Sequence, residues 1–245
     1  MRRAWLLVLF VAAVGVGSAA DAKVRVLVVT GGHGFERAPF LDAFRAAPGL
    51  EVVEAEHAKG SASVWEREDL TNFQAVVLYD MPAAITEPQQ ARFLSLFARG
   101  TGLVVLHHAL VSYQGWPDYE RIVGGRWPAP PKGQPQVTDA VGYRHGVEVG
   151  VVVVDRDHPI TRGLEDFTIH DEIYWGYRVG ADVHPLLTTT HPKSGKPLMW
   201  TRTEGRSRVV YLQLGHDRLA YENPGFRTLL ARSIGWVAEC APAPR

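Results

Sequence analysis

The sequence is nearly free of cysteine. Cys240 is the only one in 245 residues, so no internal disulfide can form, and it sits beside Ala241-Pro242-Ala243-Pro244, past the last apolar segment, a poor position for a nucleophile. Excess charge is also lacking: 26 Lys and Arg balance 26 Asp and Glu. That balance argues against a general binder of nucleic acid or anionic membrane. No H-x-x-x-H or H-E-x-x-H spacing occurs, so any metal site has to be assembled from distant segments. There is no internal repeat and no long low-complexity stretch. The one extended apolar run, Ala4 to Val16, is shorter than the about 20 residues a bilayer-spanning helix needs.

That run follows Met1-Arg2-Arg3 and leads into Gly17-Ser18-Ala19-Ala20-Asp21-Ala22. A basic start, a short apolar middle and small residues at a break have the form of a secretory signal peptide, cut after Ala20 or Ala22; the alternative is an uncleaved anchor. The expectation is therefore a signal peptide at 1–22, a secreted or periplasmic protein with no stable membrane insertion after cleavage, one domain at 23–239 and a short tail at 240–245. At 46% hydrophobic and 21% charged residues the remainder is long enough for one full core. Without disulfides, a secreted chain relies on that core or on a metal.

Apolar runs alternate with helical patterns. Strands are expected at Val24–Thr30, Glu51–Ala55, Ala75–Tyr79 and Gly102–Leu106. Helices are expected from Arg37, with Phe40, Leu41 and Phe44 at helical spacing, and from Glu87. The second has Thr86 as its cap, Pro88 in its first turn and Gly100 as its stop. Further strands fall at Val147–Asp155, Leu186–Thr189, Pro197–Thr201 and Arg208–Leu214, with a hairpin turn at Glu204-Gly205-Arg206 and a closing helix at Phe226–Val237. The segment from Gly124 to Gln136, rich in Gly and Pro, is expected to be loop. This alternation predicts an α/β fold: a flavodoxin-like, doubly wound, mostly parallel sheet flanked by helices.

In such sheets ligands bind beyond the carboxyl ends of the strands. His33, the pair His107-His108 and His216 each follow a strand, so residues far apart in sequence would meet on one rim. In an extended chain, the neighbours His107 and His108 point to opposite sides, one towards the crevice and one into packing. Asp80 ends another strand, and His158 follows Val147–Asp155. In TIHDEIYWGYR, Glu172 lies among His170, Tyr174 and Trp175. Either it is a desolvated base, or the segment is a loop with a helix cap at Asp171. Trp116, Tyr174 and Trp175 are candidates for stacking on a ligand ring.

Taken in order, VRVLVVTGGHGFE, Asp80, GTGLVVLHHAL, RIVGGRW, DHPITRGL, DEIYWG and LGHD resemble the ThuA-like (trehalose utilisation) family across about Val24 to Val237. The resemblance implies a class I glutamine amidotransferase-like fold. Those amidotransferases carry a Cys nucleophile on a strand-to-helix elbow. Here His107-His108 occupy that position, so glutamine hydrolysis is excluded, while His216 falls where the fold carries its catalytic His. Relatives often bear a His after the stretch matching Gly124-Gly125-Arg126-Trp127, but this chain reads Pro128-Ala129-Pro130-Pro131-Lys132; either His145 takes the role or the role is lost.

The resemblance implies carbohydrate metabolism, with disaccharides or keto-glycosides as substrates. The expected catalytic residues are His107, His108, Glu172 and His216, and the expected substrate contacts are His33, Asp80, His158, Tyr174, Trp175 and Asp217. A divalent metal such as zinc would sit on His33, His107 and His216, and no nucleotide cofactor is expected. The expected partner is a small sugar, with a homo-oligomer left open. The rival reading is a non-catalytic carbohydrate-binding or accessory module.

Overall fold

The computed structural model describes residues 23–131 and 133–239. The expected signal peptide and tail, with Cys240, lie outside the described residues. The elements run β1 (Val24–Gly31), α1 (Arg37–Arg45), β2 (Leu50–Glu56), β3 (Ala75–Asp80), α2 (Glu87–Arg99), β4 (Gly102–Leu106), α3 (Pro117–Val123), β5 (Gly125–Arg126), β6 (Gly142–Val153), β7 (Phe167–Trp175), β8 (Arg178–Val179), β9 (His184–Thr189), β10 (Met199–Glu204), β11 (Ser207–Leu212), α4 (Arg218–Glu222) and α5 (Pro224–Ala238).

The main sheet has the order β2-β1-β3-β4-β11-β10-β9-β6-β7. Its first five strands pair in parallel, in the order of a flavodoxin-like doubly wound sheet. Beyond β11 every pairing is antiparallel. These directions make β7 run the same way as β4, whereas β6 runs against it. The parallel strands are apolar on both faces because helices cover both. Val26, Val28, Val77, Val104 and Val210 pack beneath α1 and α5; Leu27, Val29, Val76, Val105 and Val209 pack beneath α2 and α3.

Several local expectations hold in detail. The Gln89 side chain returns to the Thr86 amide at 3.0 Å, and Gly100 ends α2 in the left-handed region. The turn at Glu204-Gly205-Arg206 joins the antiparallel β10 and β11. Other parts differ from expectation. The loop from Gly124 contains β5, which pairs with β8. β6 starts at Gly142, well before Val147, because β7 beside it pairs with the residues from Gly142 onward. TIHDEIYW is a strand within β7, so Asp171 caps no helix. Among the described residues, no helix is long and apolar enough to cross a membrane.

Candidate active site

Three segments of the chain bring histidine to the wall of one cleft of about 310 Å³, as His33, His108 and His145, and His107 and His216 stand beside it against Glu172. His107 and His108 come from the end of β4. They do not continue an extended chain: His107 has φ 51° and opens a single 3-10 turn, His107–Val111. This strained, left-handed elbow costs about 1–3 kcal/mol, and it turns the two rings to 80° at a centroid distance of 5.5 Å. Both therefore reach the site. The His107 Nδ1 lies 2.6 Å from the Gln213 carbonyl, which can only accept, so Nδ1 carries a proton and Nε2 points into the cluster.

Glu172 arrives from β7, on the same rim as β4 because the two strands run the same way. One carboxylate oxygen lies 2.9 Å from His107 Nε2 and 3.2 Å from His216 Nδ1, and those two nitrogens are 3.2 Å apart. The other oxygen is 3.1 Å from His145 Nδ1, which is also 3.0 Å from His216 Nε2. His145 reaches the cluster through a bulge. The β6–β7 register shifts between Arg144 and Val147, so His145 and Gly146 stand opposite Glu172, and Gly146 takes the φ of +64° that the bulge requires. His145 thus stands in the cleft.

A buried carboxylate holds the two halves together. Asp171 accepts hydrogen bonds from the amides of Gly215 (2.8 Å), His216 (2.9 Å) and Glu172 (2.8 Å). It fastens the loop after β11 to β7, and so sets His216 against Glu172. Sequence reading passed it over, because a carboxylate beside Glu172 gives no sign that it faces backbone amides.

The electrostatics follow from this packing. Burial raises the Glu172 carboxyl, but hydrogen bonds to His107 and His216 outweigh it and hold the group well below the usual carboxylate range. Burial lowers His216, yet its bond and charge interaction with Glu172 win and raise the imidazole above its ordinary value. His33 is lowered by burial and by its neighbours His107 and His216, and burial lowers His108 well below the ordinary value. Tyr174, whose hydroxyl is 2.8 Å from His107 Nε2, is raised by burial and keeps its proton.

The donor set and spacing fit a cation. His107, Glu172 and His216 form the one group of three metal-type ligands among the described residues. Two imidazoles and a carboxylate are zinc-type donors, and ligands about 2.0–2.1 Å from a tetrahedral ion lie roughly 3.3 Å apart. The bond from His107 to the Gln213 carbonyl is the outer support that a ligating histidine needs. Of the expected ligands, His107 and His216 come together with Glu172, and His33 is not in that group. His33 instead stacks on His108, at 4.4 Å and 29°.

Other expected contacts fall elsewhere. Because β6 runs against β4, its carboxyl end lies at the opposite rim. His158 packs there, against Trp236 at 4.9 Å and near His184, and cannot touch the cleft. Asp80 is sealed: it lies 3.1 Å from His57 Nε2 and accepts from the Tyr113 hydroxyl at 3.1 Å. Asp217 caps α4 through the amides of Leu219 and Ala220. Trp175 donates to the Thr138 carbonyl and Trp116 packs with Phe93 and Tyr119. Of the three aromatics expected to stack on a sugar, only Tyr174 lines the cleft, where Met81, Val111, Trp127 and Tyr143 form the rest of the apolar wall.

Comparison with known proteins agrees with this architecture. A ThuA-like protein from Parabacteroides merdae superposes with a TM-score of 0.75 at 21% identity, over 91% of this chain and 92% of that one. Another, from Bacteroides uniformis, gives 0.64 at 19% identity over 89% and 93%. A β-galactosidase from Rahnella sp. R3 gives 0.55 at 13% identity over 87% of this chain and 31% of that one, a likeness of fold alone. No curated protein matches this chain in sequence. The family profile described as trehalose utilisation matches residues 25–237. With the doubly wound sheet and the histidine elbow in place, that match identifies the chain as a member of the ThuA family, one of carbohydrate-related function.

Proposed function

We propose that this protein is a secreted enzyme that acts on keto-glycosides or related disaccharides by proton transfer beside a carbonyl. The observation that carries the reading is the convergence of His107 Nε2, Glu172 Oε2 and His216 Nδ1 within 3.2 Å. His107 Nδ1 already donates to Gln213, and Tyr174 has a single proton to give. The Glu172 carboxylate and the bare Nε2 of His107 face His216 Nδ1, so either a proton on His216 or a divalent cation fills the space between them. A cation held by His107, Glu172 and His216 would supply charge to polarise a carbonyl and stabilise the enediolate formed from it.

The protein residues divide the rest of the work. Glu172 is held ionised too firmly to be an effective base. Proton removal from the carbon next to the carbonyl falls to His145, which His216 Nε2 holds at 3.0 Å, and the exposed His145 exchanges that proton with solvent. For a 3-keto-glycoside, loss of the C2 proton lets the electron pair form a C1–C2 double bond as the C1–oxygen bond breaks. The departing oxygen takes up a proton, releasing the aglycone alcohol. Tyr174 and Trp127 offer apolar faces to a sugar ring.

The test is incubation of the purified protein with 3-keto-glycosides, with and without chelator, alongside elemental analysis for zinc, nickel and manganese. Aglycone release that His216→Ala abolishes is expected. Absence of turnover with all of them in both conditions overturns the enzyme reading. Retained sugar binding in such a protein would favour a carbohydrate-binding module.

A further inference from the structure

The cluster around Glu172 accounts for three histidines of the cleft and leaves two. His108 lies against the Glu172 cluster, its ring 5.5 Å from that of His107, and only 4% of it is exposed. Neither of its ring nitrogens has a hydrogen-bond partner among the described residues, and the same holds for His33 Nδ1. Tyr79 packs against the His108 ring at 4.3 Å, and its backbone lies near enough to draw on one ring proton without making a well-formed bond. An imidazole in any protonation form has at least one N–H, and leaving a buried donor unpaired costs about 1–3 kcal/mol. Buried polar groups are rarely left open in this way unless something else pairs with them.

The chain goes to some length to keep these rings where they are. His33 leaves a turn in which Gly32 has φ +83°, and a Cβ there would stand 2.6 Å from the Met81 carbonyl oxygen. Only glycine lets the turn close on β3, and that closure lays His33 flat over His108. His33 is also 6.3 Å, edge to face, from His216, so the pair forms a wall continuous with the Glu172 cluster. Both rings line the same cleft as Glu172.

We propose that His108 and His33 form a hydroxyl-binding subsite, and that the cleft therefore selects ligands with oxygens on adjacent carbons, an α-hydroxycarbonyl unit. One oxygen faces His107, Glu172 and His216, and the neighbouring hydroxyl pairs with His108 beneath His33. A hydroxyl suits the position because it both donates and accepts, and so satisfies an imidazole N–H or lone pair. Rings 5.5 Å apart, each bonding at about 2.8 Å, leave room between them for two oxygens one carbon–carbon bond apart. The inference rests on the keto-glycoside reading and narrows it: the hydroxyl next to the carbonyl is a recognition element as well as part of the ring.

The test uses methyl 3-keto-glucoside and its 2,4-dideoxy counterpart as probes, with chelator-treated protein whose histidines are labelled with ¹⁵N. The His108 ring nitrogens should shift on adding the first probe and stay in place with the second. In His108→Phe, which keeps a flat ring against Tyr79, affinity for the first probe should fall at least about tenfold, about 1.4 kcal/mol, with little change for the second. If that variant does not fold, the ring shifts of the unaltered protein decide. Turnover of keto-glycosides with His108 unshifted, or with His108→Phe binding both probes like the parent, overturns the subsite alone. Failure to bind either probe overturns the subsite, and if turnover is absent too, it overturns the functional reading with it.

Discussion

Replacing Glu172 by Gln keeps the shape of the side chain and removes its charge, which makes it the sharpest probe of the cluster. In the native protein the carboxylate is 4% exposed and meets His107 at 2.9 Å and His216 at 3.2 Å. Hydrogen bonds to charged groups contribute about 1.5–3 kcal/mol each, and Gln can replace part of each one. The expected loss is about 2–4 kcal/mol; His145 is more than half exposed, and solvent screens its share. For a chain of this size that is a fall in Tm of roughly 2–4 °C per kcal/mol. The loss should depend on pH. His216 is raised in the folded state, so its contribution is complete below its unfolded value of about 6.5 and disappears as pH rises through the folded value. Glu172 is lowered, so its contribution is present above about 4.3 and fades as pH falls. The gap between parent and E172Q should therefore be widest between about pH 4.5 and 6.5. Thermal unfolding of chelator-treated protein across pH 4–9, with NMR titration of the His216 ring, measures both quantities. Equal stability at every pH, or a His216 that titrates no lower in E172Q than in the parent, would refute the account of the cluster.

Asp171→Asn keeps the volume but exchanges one acceptor oxygen for a donor that faces backbone amides; unfolding in urea should show a loss of about 1–3 kcal/mol, and turnover should fall further than stability explains because His216 drifts from Glu172. Gly32→Ala forces a Cβ against the Met81 carbonyl at 2.6 Å, so the turn carrying His33 must move; ¹⁵N spectra should show the His33 and His108 rings displaced while distant β6–β9 signals stay put. His158→Ala should leave keto-glycoside turnover within about twofold of the parent, since that ring packs on Trp236 at the other rim; a large fall would mean that the assignment of the rims is wrong. Zinc added to chelator-treated protein should raise its Tm by an amount that His107→Ala removes, a thermal-shift measurement independent of activity.

The parallel half of the fold was legible because its strands are buried on both faces. Each is an unbroken apolar run, as in VRVLVVT and GLVVL, closed by glycine or a capped helix start. The rule that ligands lie beyond the carboxyl ends of such strands then singles out His33, His107, His108 and His216. The elbow came only from the family resemblance: the residues alone suggest an extended chain at His107-His108, and the left-handed φ of His107 overturns that. Strand direction was not legible. An antiparallel strand is as apolar as a parallel one, so nothing in Val147–Asp155 shows that its end faces away, and His158 was misplaced for that reason. Nor can spacing reveal that a bulge at His145-Gly146 turns a ring towards Glu172, or that Asp171 spends its oxygens on the amides beside His216. Those are long-range hydrogen bonds between segments dozens of residues apart. The sequence alone settled which ends of the parallel strands carry histidine; the tertiary structure alone decided that Glu172 and His145 sit on paired edge strands and which rings share one carboxylate, because that depends on long-range strand pairing.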